Sequence, residues 1–436
     1  MSAAPPSSTA LLTDRYELTM LDAALADGTA GRHCVFEVFT RRLPPGRRYG
    51  VLAGTGRVLE AIGAFRFGDA ELAYLAEHRM VTRSTLDHLA AFRFTGSITG
   101  YAEGECFFPF SPVMVVEGTF AEAVVLETLV LSVLNYDSAV ASAASRMTAA
   151  AGDRPCLEMG SRRAHEQAAV AAARAAVVSG FAGTSNLEAG RRYGLPTIGT
   201  AAHAYTLLHD DEASAFASQV AAQGPGTTLL VDTYDVTRGV ARAVEAAGTG
   251  LGAVRLDSGD LLSQSREVRA QLDALGATGT RIVVTSDLDE HAIAALAAAP
   301  VDSYGVGTSV VTGSGAPTCG MVYKLVAREG ADGVLAPVAK ASTRKTSTGG
   351  RKTAARRFGA DGRAVEEVLV TGPDQAVATW ASPTHDLRPL HVPLVAHGAV
   401  DTRWTGSTGV QRAAARHAES RAELPRTARR LSAGEP

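Results

Sequence analysis

The sequence has few cysteines, few aromatic residues and little net charge. Its four cysteines lie far apart and form no CxxC pair. This spacing argues against a disulfide framework or a zinc site and favours a reducing compartment. The formal net charge is only −3, so the composition requires neither a nucleic acid nor a membrane surface as a partner.

The sequence also lacks a recognisable targeting or membrane-spanning segment. The opening stretch "MSAAPPSSTALLTDR" has no basic start and no apolar block, so it is not expected to be a signal peptide. The most apolar segment, about residues 120–145, is interrupted by Glu122, Glu127 and Asp137, which argues against a membrane span. We therefore expect a soluble cytoplasmic protein.

The length of 436 residues predicts two or three domains. Residues 1–10 are expected to form a flexible lead. Residues 11–150 are expected to form an N-terminal α/β domain with a small antiparallel sheet, because they combine helical and strand-like patterning. Its helical patterns fall at 16–27, 54–65 and 121–150, and its strand-like runs at 94–108 and 113–120.

A regular rhythm follows from residue 155. Short apolar runs fall at 156–159, 178–182, 196–199, 228–232, 253–257, 282–286 and 301–306. Stretches of helical periodicity lie between them, at 163–176, 186–193, 237–247, 261–274 and 289–298. Strand and helix alternating at this spacing predict a parallel sheet. An irregular (β/α) barrel is favoured, and an open doubly wound sheet is the alternative.

Polar residues cluster directly after each apolar run, where the active site of a parallel barrel is built. One of them is His203, in "PTIGTAAHAY" (196–205). In "RLDSGD" (255–260), Arg255 can bind an anion while Asp257 takes sugar hydroxyls or a magnesium ion. In "YGVGTS" (304–309), glycine amides and hydroxyls suit phosphate oxygens. Capping of the next helix is an alternative role for these turns, and it is favoured for Asp235 and Asp289.

Two basic segments either meet an anionic substrate or are solvated surface loops. They are "TRRLPPGRRYG" (40–50) and "KASTRKTSTGGRK" (340–352). Neither carries the interleaved aromatic residues of a platform for single-stranded nucleic acid. The last hundred residues are less regular, with a basic loop at 340–357, a strand-like run at 365–372 and a helix near 409–424.

Six motifs, in this order, resemble those of nicotinate phosphoribosyltransferases. They are "TDRYELTM" (13–20), "EMGSRRAHE" (158–166), "GTSNLEAGRRYGLPTIGTAAHAY" (183–205), "LLVDTYD" (229–235), "RLDSGDL" (255–261) and "GVGTS" (305–309). The resemblance runs from about residue 11 to the closing "LSAGEP". It implies the type II phosphoribosyltransferase fold, an irregular α/β barrel (151–325) beside an N-terminal α/β domain. Residues 326–436 would then return to the N-terminal domain.

The family's reaction joins nicotinate to 5-phosphoribosyl 1-diphosphate, giving nicotinate mononucleotide and pyrophosphate for NAD synthesis. The resemblance implies coupling to ATP hydrolysis through a phosphohistidine at His203, with Mg²⁺ as cofactor. It also implies a homodimer in which Asp14 and Tyr16 act in the active site of the other subunit. The implied catalytic residues are His203, Asp257 and Arg255. The implied substrate-binding residues are Asp14, Tyr16, Met159, Arg162, Thr184, Ser185, Ser258, Gly259, Gly305, Gly307, Thr308 and Ser309.

Four of these positions bear on recognition of the base. Related nicotinamide enzymes carry an aspartate where this sequence has Ser185, and a carboxylate there would repel nicotinate whereas a hydroxyl can donate to it. Tyr16 would stack on the pyridine ring and Arg162 would lie near its carboxylate. Met159 stands where many relatives have a phenylalanine, although a thioether can also pack on an aromatic face.

The alternatives are a nicotinamide or quinolinate phosphoribosyltransferase and a non-catalytic sensor of NAD precursors. Quinolinate has two carboxylates and would need a denser arginine cluster than Arg162, Arg163 and Arg255. A silent sensor would not need the intact set of His203, Asp257 and Arg255.

Overall fold

The computed structural model divides the chain into two compact units. One unit comprises Met1–Ala141 and Thr318–Pro436, and the other, the barrel unit, comprises Ser142–Pro317. The sequence placed the domain boundaries at 150/151 and 325/326. The structure describes residues 8–340, 347–372 and 387–434.

The N-terminal part of the first unit alternates helices with short strands. Its helices are α1 (Arg15–Ala26), α2 (Thr55–Gly63), α3 (Asp69–Glu77), α4 (Arg83–Ala90), α5 (Phe120–Val124) and α6 (Glu127–Ala151). Its strands are β1 (His33–Thr40), β2 (Gly50–Val51), β3 (Ser97–Tyr101), β4 (Cys106–Phe107) and β5 (Met114–Thr119). The helix predicted over 121–150 is present but divided, because α5 ends at Val124 and α6 begins at Glu127. A capping box between Thr119 and Glu122 starts α5.

Helices α5 and α6 together are long and apolar enough, by length and composition alone, to cross a membrane. Within the 18 most apolar consecutive residues of this stretch, 67% are buried inside the protein. Asp137 and Ser138 on α6 are among the buried residues. Burial of this kind is typical of the core helix of a globular protein, so the stretch is weak evidence for a membrane span.

The barrel unit consists of parallel strands joined by helices. Its strands are β6 (Cys156–Glu158), β7 (Gly183–Thr184), β8 (Thr228–Leu230), β9 (Ala253–Leu256), β10 (Arg281–Val284) and β11 (Ser303–Val306). Its helices are α7 (Glu166–Val178), α8 (Leu187–Tyr193), α9 (His203–Leu208), α10 (Glu212–Gln223), α11 (Val236–Ala247), α12 (Leu261–Ala274), α13 (Glu290–Ala295) and α14 (Thr308–Val311). The strands pair in the order β7-β6-β11-β10-β9-β8, and every pair is parallel.

The predicted irregular α/β barrel is confirmed, and its irregularity lies at the third apolar run. That run, 196–199, contributes a single bridge between Thr197 and Thr184 and no strand. Within residues 142–317, which the structure describes throughout, no backbone pairing joins this segment to β8. The sheet therefore curls without closing. Because β6 pairs with β11, the first and last turns of the unit lie side by side.

Helix capping explains some of the polar residues after the strands. Asp235 and Asp289 accept backbone hydrogen bonds in the first turns of α11 and α13, which confirms the capping role favoured from sequence. Asp260 caps α12 and Asn186 caps α8 in the same way. These four side chains stabilise helix starts by satisfying free amides.

The C-terminal part adds strands to the first unit. These elements are β12 (Met321–Glu329), β13 (Leu335–Pro337), β14 (Lys352–Phe358), β15 (Ala364–Thr371), β16 (Leu387–Pro389), β17 (His391–Ala396), β18 (Ala399–Val400) and α15 (Gly406–Glu423). The main antiparallel sheet has seven strands in the order β13-β12-β1-β5-β3-β17-β18. Phe36 of β1 stacks on Tyr323 of β12 with ring centroids 4.8 Å apart. The core of this unit thus depends on residues distant in sequence.

The predicted basic loop at 340–357 is only partly a loop, since residues 352–358 form β14. The Nζ atom of Lys352 lies 2.7 Å from the Glu37 carboxylate. Arg356 is fully buried and pairs with Glu105 and Glu367 at 2.7 and 2.8 Å. These cations offset buried carboxylates and do not form an anion site. Residues 341–346 of the predicted loop lie outside the described residues.

Candidate active site

The turns that follow the barrel strands enclose a cavity of about 230 Å³. Its lining contains several of the residues singled out from sequence: Met159, Arg162, Arg255, Asp257, Gly305, Gly307 and Thr308. It also contains Arg163, Thr285, Ser286 and Asp287, which are not among the catalytic or substrate-binding residues that the resemblance implies. The convergence of these turns follows from the parallel sheet, because the carboxyl ends of all its strands face the same way.

Asp257, just after β9, is the centre of the polar contacts. Its Oδ1 atom accepts a hydrogen bond from the Thr285 hydroxyl and lies 3.5 Å from Nη2 of Arg255. Its Oδ2 atom lies 3.8 Å from Nε2 of His203. Burial alone would raise the pKa of the Asp257 carboxyl, but the Thr285 hydrogen bond and the nearby Arg255 and His203 lower it below the usual range. Asp257 is therefore an anion at neutral pH.

His203 lies at the start of α9, on the side where the sheet does not close. Its Nδ1 atom lies 3.1 Å from the hydroxyl oxygen of Thr233, which follows β8. Arg255 crosses to the same segment, donating to the Thr200 hydroxyl at 2.6 Å. Side chains thus span the gap that the backbone ladder leaves open. The imidazole keeps 40% of its surface exposed, so a ligand can reach it.

Asp232 lies in the motif "LLVDTYD" (229–235) but is not among the site residues that the resemblance implies. Its Oδ2 atom accepts hydrogen bonds from the backbone amide of Asp257 and the hydroxyl of Ser258, both at 2.8 Å. Its Oδ1 atom is buried and has no hydrogen-bond partner among the residues that the structure describes. A buried carboxylate oxygen without a partner is costly, and it marks a place where a ligand can bind. Its position at the end of the apolar run 228–232 could have identified it as a site residue from the sequence.

The turn after β10 carries backbone strain. Ser286 has φ +137°, a region that favours glycine. Its neighbour Thr285 holds Asp257, and both residues line the cavity. Strain of this kind costs of the order of 1–3 kcal/mol and clusters at active sites.

Glycines keep the floor of the cavity close-packed. A Cβ atom added to Gly305 would lie 2.4 Å from Cγ2 of Thr285 and 2.8 Å from Sδ of Met159. The thioether of Met159 therefore lies directly against the strand end. Gly259, with φ +86°, makes the turn between Asp257 and the cap of α12.

The remaining predicted residues lie near the cavity or in the other unit. Thr184 ends β7 and Ser185 follows it, and the backbone amide of Ser185 donates to the carbonyl of Glu158 at 2.8 Å. Ser309 lies one residue beyond Thr308 in α14. Asp14 and Tyr16 belong to the other unit, where Tyr16 is half-exposed. Its partial burial and the nearby Glu127 raise the pKa of the Tyr16 phenol to about 12.

The fold and the site define an α/β-barrel protein with an arginine-lined cavity at the carboxyl ends of its strands. Two family models match the chain: the nicotinate phosphoribosyltransferase N-terminal domain over residues 11–135, and the nicotinate phosphoribosyltransferase family over residues 155–357. The chain belongs to the nicotinate phosphoribosyltransferase family, whose members are transferases.

Individual relatives agree with this assignment. Nicotinate phosphoribosyltransferase pncB1 of Mycobacterium tuberculosis is 62% identical over 367 residues, covering 82% of this chain and 80% of that protein. Nicotinate phosphoribosyltransferase of Bacillus subtilis is 40% identical, covering 79% of this chain and 72% of that protein. The crystal structure of human nicotinic acid phosphoribosyltransferase superposes with a TM-score of 0.81 at 26% identity, covering 97% of this chain and 96% of that chain.

Proposed function

We propose that this enzyme joins nicotinate to 5-phosphoribosyl 1-diphosphate in the cytoplasm and couples the step to ATP through a phosphohistidine at His203. The products of the transfer are nicotinate mononucleotide and pyrophosphate, for NAD biosynthesis. The observation that carries the proposal is the position of Asp257 between Arg255 and His203, beside a cavity lined by further arginines.

Pentosyl transfer develops positive charge on the ribose as the bond between the anomeric carbon and the diphosphate oxygen breaks. The nicotinate ring nitrogen forms the new bond to that carbon, and pyrophosphate leaves with the electron pair. The enzyme's task is to orient the base and to stabilise the departing anion. Arg163 and Arg255, with the amides and hydroxyl of Gly307 and Thr308, are the groups suited to hold phosphate oxygens.

Coupling to ATP would proceed by attack of a neutral imidazole nitrogen of His203 on the γ-phosphorus. A nitrogen–phosphorus bond forms, the bridging oxygen–phosphorus bond breaks, and ADP leaves. Water later hydrolyses the phosphohistidine to inorganic phosphate. The phosphoryl group adds negative charge next to Asp257 and so changes the electrostatic potential at the diphosphate subsite. Hydrolysis of the phosphohistidine removes this charge and can thereby drive product release.

Magnesium is the proposed cofactor, and the residues present are compatible with it. Among the residues that the structure describes, no three His, Cys, Asp or Glu side chains cluster closely enough to hold a metal ion. Asp232, with its unpartnered Oδ1 atom, and Asp257 offer two carboxylates in one place. Mg²⁺ typically combines one or two carboxylates with substrate phosphates and water. When bound, the ion would neutralise charge on the diphosphate.

Recognition of the base is assigned to Arg162, Ser185, Met159 and Tyr16. Arg162 would pair with the pyridine carboxylate and Ser185 would donate to it, while a nicotinamide amide would gain little from the guanidinium. The direct test is a paired assay with phosphoribosyl diphosphate and Mg²⁺, following mononucleotide and ADP for nicotinate and nicotinamide, with and without ATP. We expect product from nicotinate alone, accompanied by ADP. Product from nicotinamide, or none from either base, would contradict the assignment to Ser185 and Arg162.

A homodimer with shared sites is part of the proposal. Exposed apolar side chains around Tyr16 (Leu11, Leu12 and Met20) and on the barrel unit (Leu187, Leu207, Leu208 and Tyr234) are candidates for burial in a dimer.

Complementation tests the shared sites. When Tyr16→Ala and His203→Ala subunits, each inactive in ATP coupling, are mixed, half of the dimers should be hybrids with one intact site. We expect recovery of about a quarter of the wild-type ATP-coupled rate, as statistical mixing of a two-site dimer gives. Verified hybrid dimers with no recovery would show that each subunit uses its own Tyr16.

A further inference from the structure

Glu158, at the end of β6, is a fully buried carboxylate that holds two turns of the site. Its Oε1 atom accepts a hydrogen bond from the backbone amide of Gly160, and its Oε2 atom accepts one from the Thr184 hydroxyl, both at 2.5 Å. Its backbone carbonyl accepts from the amide of Ser185 at 2.8 Å. One residue thus holds the turn after its own strand and the turn after β7.

The charge of this carboxylate has no obvious structural justification. No lysine, arginine or histidine forms a salt bridge with Glu158 among the described residues, and only the two neutral donors stabilise its anion. Burial raises the pKa of the Glu158 carboxyl against these hydrogen bonds. A buried carboxylate without a cation destabilises a fold. A neutral side chain would serve packing alone at least as well.

The two turns carry the residues assigned to the base. Arg162 lies in the turn that begins at Gly160, where the amide of Arg163 donates to the Gly160 carbonyl at 2.8 Å. Ser185 lies in the turn that begins at Thr184. A second hydrogen bond joins the two turns: the side-chain amide of Asn186 donates to the Ser161 hydroxyl at 3.0 Å.

Gly160 is closely packed on the side where a side chain would project. A Cβ atom added to it would lie 2.2 Å from Cγ1 of Val311 and 2.8 Å from the carbonyl oxygen of Gly307. The bond to Glu158 fixes the Gly160 amide on the same carboxylate that holds Thr184. The spacing of Arg162 and Ser185 depends on that bond.

We propose that Glu158 is a positioning residue for the pyridine base. By accepting from Gly160 and Thr184 with the two oxygens of one carboxylate, it sets the distance between the Arg162 guanidinium and the Ser185 hydroxyl. This inference rests on the base recognition assigned to those two residues above. It predicts an effect on nicotinate binding that is separate from the stability of the fold.

The test compares Glu158→Gln with the wild-type enzyme by steady-state kinetics and thermal unfolding. Glutamine keeps the shape but has one acceptor oxygen, so its NH₂ group must face one of the two donors. We expect the KM for nicotinate to rise about tenfold, the scale of losing one hydrogen bond to a charged group. We expect the KM for phosphoribosyl diphosphate and the kcat to change much less. The melting temperature should not fall, because the variant no longer buries a charge.

Glu212→Gln is the matched control in the same unit. Glu212 is equally buried at the start of α10, but it pairs with Arg242 at 3.1 Å. We expect the opposite pattern, a lower melting temperature with an unchanged KM for nicotinate. Glu158→Asp, whose shorter side chain cannot reach both donors, should raise this KM as Glu158→Gln does.

Arg162→Gln, measured alongside, separates this inference from the proposed function. Raised KM values for nicotinate in both R162Q and E158Q support the positioning role. A raised KM in R162Q with an unchanged KM in E158Q overturns the role of Glu158 alone. Unchanged values in both overturn the base site and the role of Glu158 together. A fall in melting temperature of E158Q with an unchanged KM reduces Glu158 to a structural residue.

Discussion

His203→Ala should abolish nicotinate-dependent formation of ADP, with a fall of at least about a thousandfold, because no other group at the cavity can carry the phosphoryl group as imidazole does. ATP-independent formation of nicotinate mononucleotide should persist, since the residues assigned to the diphosphate and the base remain in place. Separate assays of ADP and mononucleotide measure the two activities. A variant that kept both at the wild-type level would refute the assignment of His203.

The same helix supplies a control for this experiment. His209 directly follows α9 as its C-cap residue, and its Nδ1 atom lies 2.9 Å from the carbonyl oxygen of Tyr205. His209→Ala removes an imidazole six positions away without touching Thr233 or Asp257. It should leave both activities at the wild-type level. If His209→Ala also lost ADP formation, the effect of His203→Ala would be attributed to disruption of α9 and not to loss of the nucleophile.

Asp257→Asn should raise the KM for phosphoribosyl diphosphate by about 10- to 100-fold, the scale of losing a hydrogen bond to a charged group. The asparagine side chain can still accept from Thr285, so the local packing should survive. What it lacks is the negative charge next to Arg255 and His203. Titration of the initial rate with phosphoribosyl diphosphate at saturating nicotinate and Mg²⁺ gives the value.

Asp260→Asn is the control that shows whether the effect of Asp257→Asn requires a charge at the site or only a negative charge in the same motif. Asp260 lies in the same motif but caps α12, accepting from the amides of Leu262 and Ser263. Asparagine caps helices about as well as aspartate. We therefore expect Asp260→Asn to leave both the stability and the KM unchanged. An equal rise of the KM in both variants would mean that the motif contributes general negative charge, and an unchanged KM in Asp257→Asn would refute its role.

Local sequence patterns predicted most of the barrel elements because their causes are local. Predicted helices at 186–193, 237–247 and 261–274 correspond closely to α8, α11 and α12. At the start of each of the three helices, an Asn or Asp side chain accepts a hydrogen bond from a backbone amide no more than three residues further on. The start of the helix can therefore be predicted from local sequence. The cluster of polar residues after each apolar run could be found for the same reason.

Contacts between distant residues explain what the sequence did not predict. Glu158 reads as part of an apolar run, and only the pairing of β6 with β7 brings Thr184 to its carboxylate. In the sequence, Thr285 only marks the end of an apolar run. The pairing of β10 with β9 brings its hydroxyl to Asp257. The sequence left two roles open for the segment with Lys352, an anion site or a solvated loop, because Glu37, which pairs with Lys352, lies 315 positions earlier in the chain.

The sequence by itself determined the family, the alternation of strand and helix, and the set of residues that face the carboxyl edge of the sheet. These properties depend on residue order and on hydrogen bonds that span a few positions. Only the tertiary structure decided where the barrel stays open, in which direction burial and neighbours shift the pKa of each carboxyl group, and which side chains hold the site turns. The reason is physical: strand pairing and the burial of a charge depend on neighbours that the chain supplies from far away, and the sequence does not say which will meet.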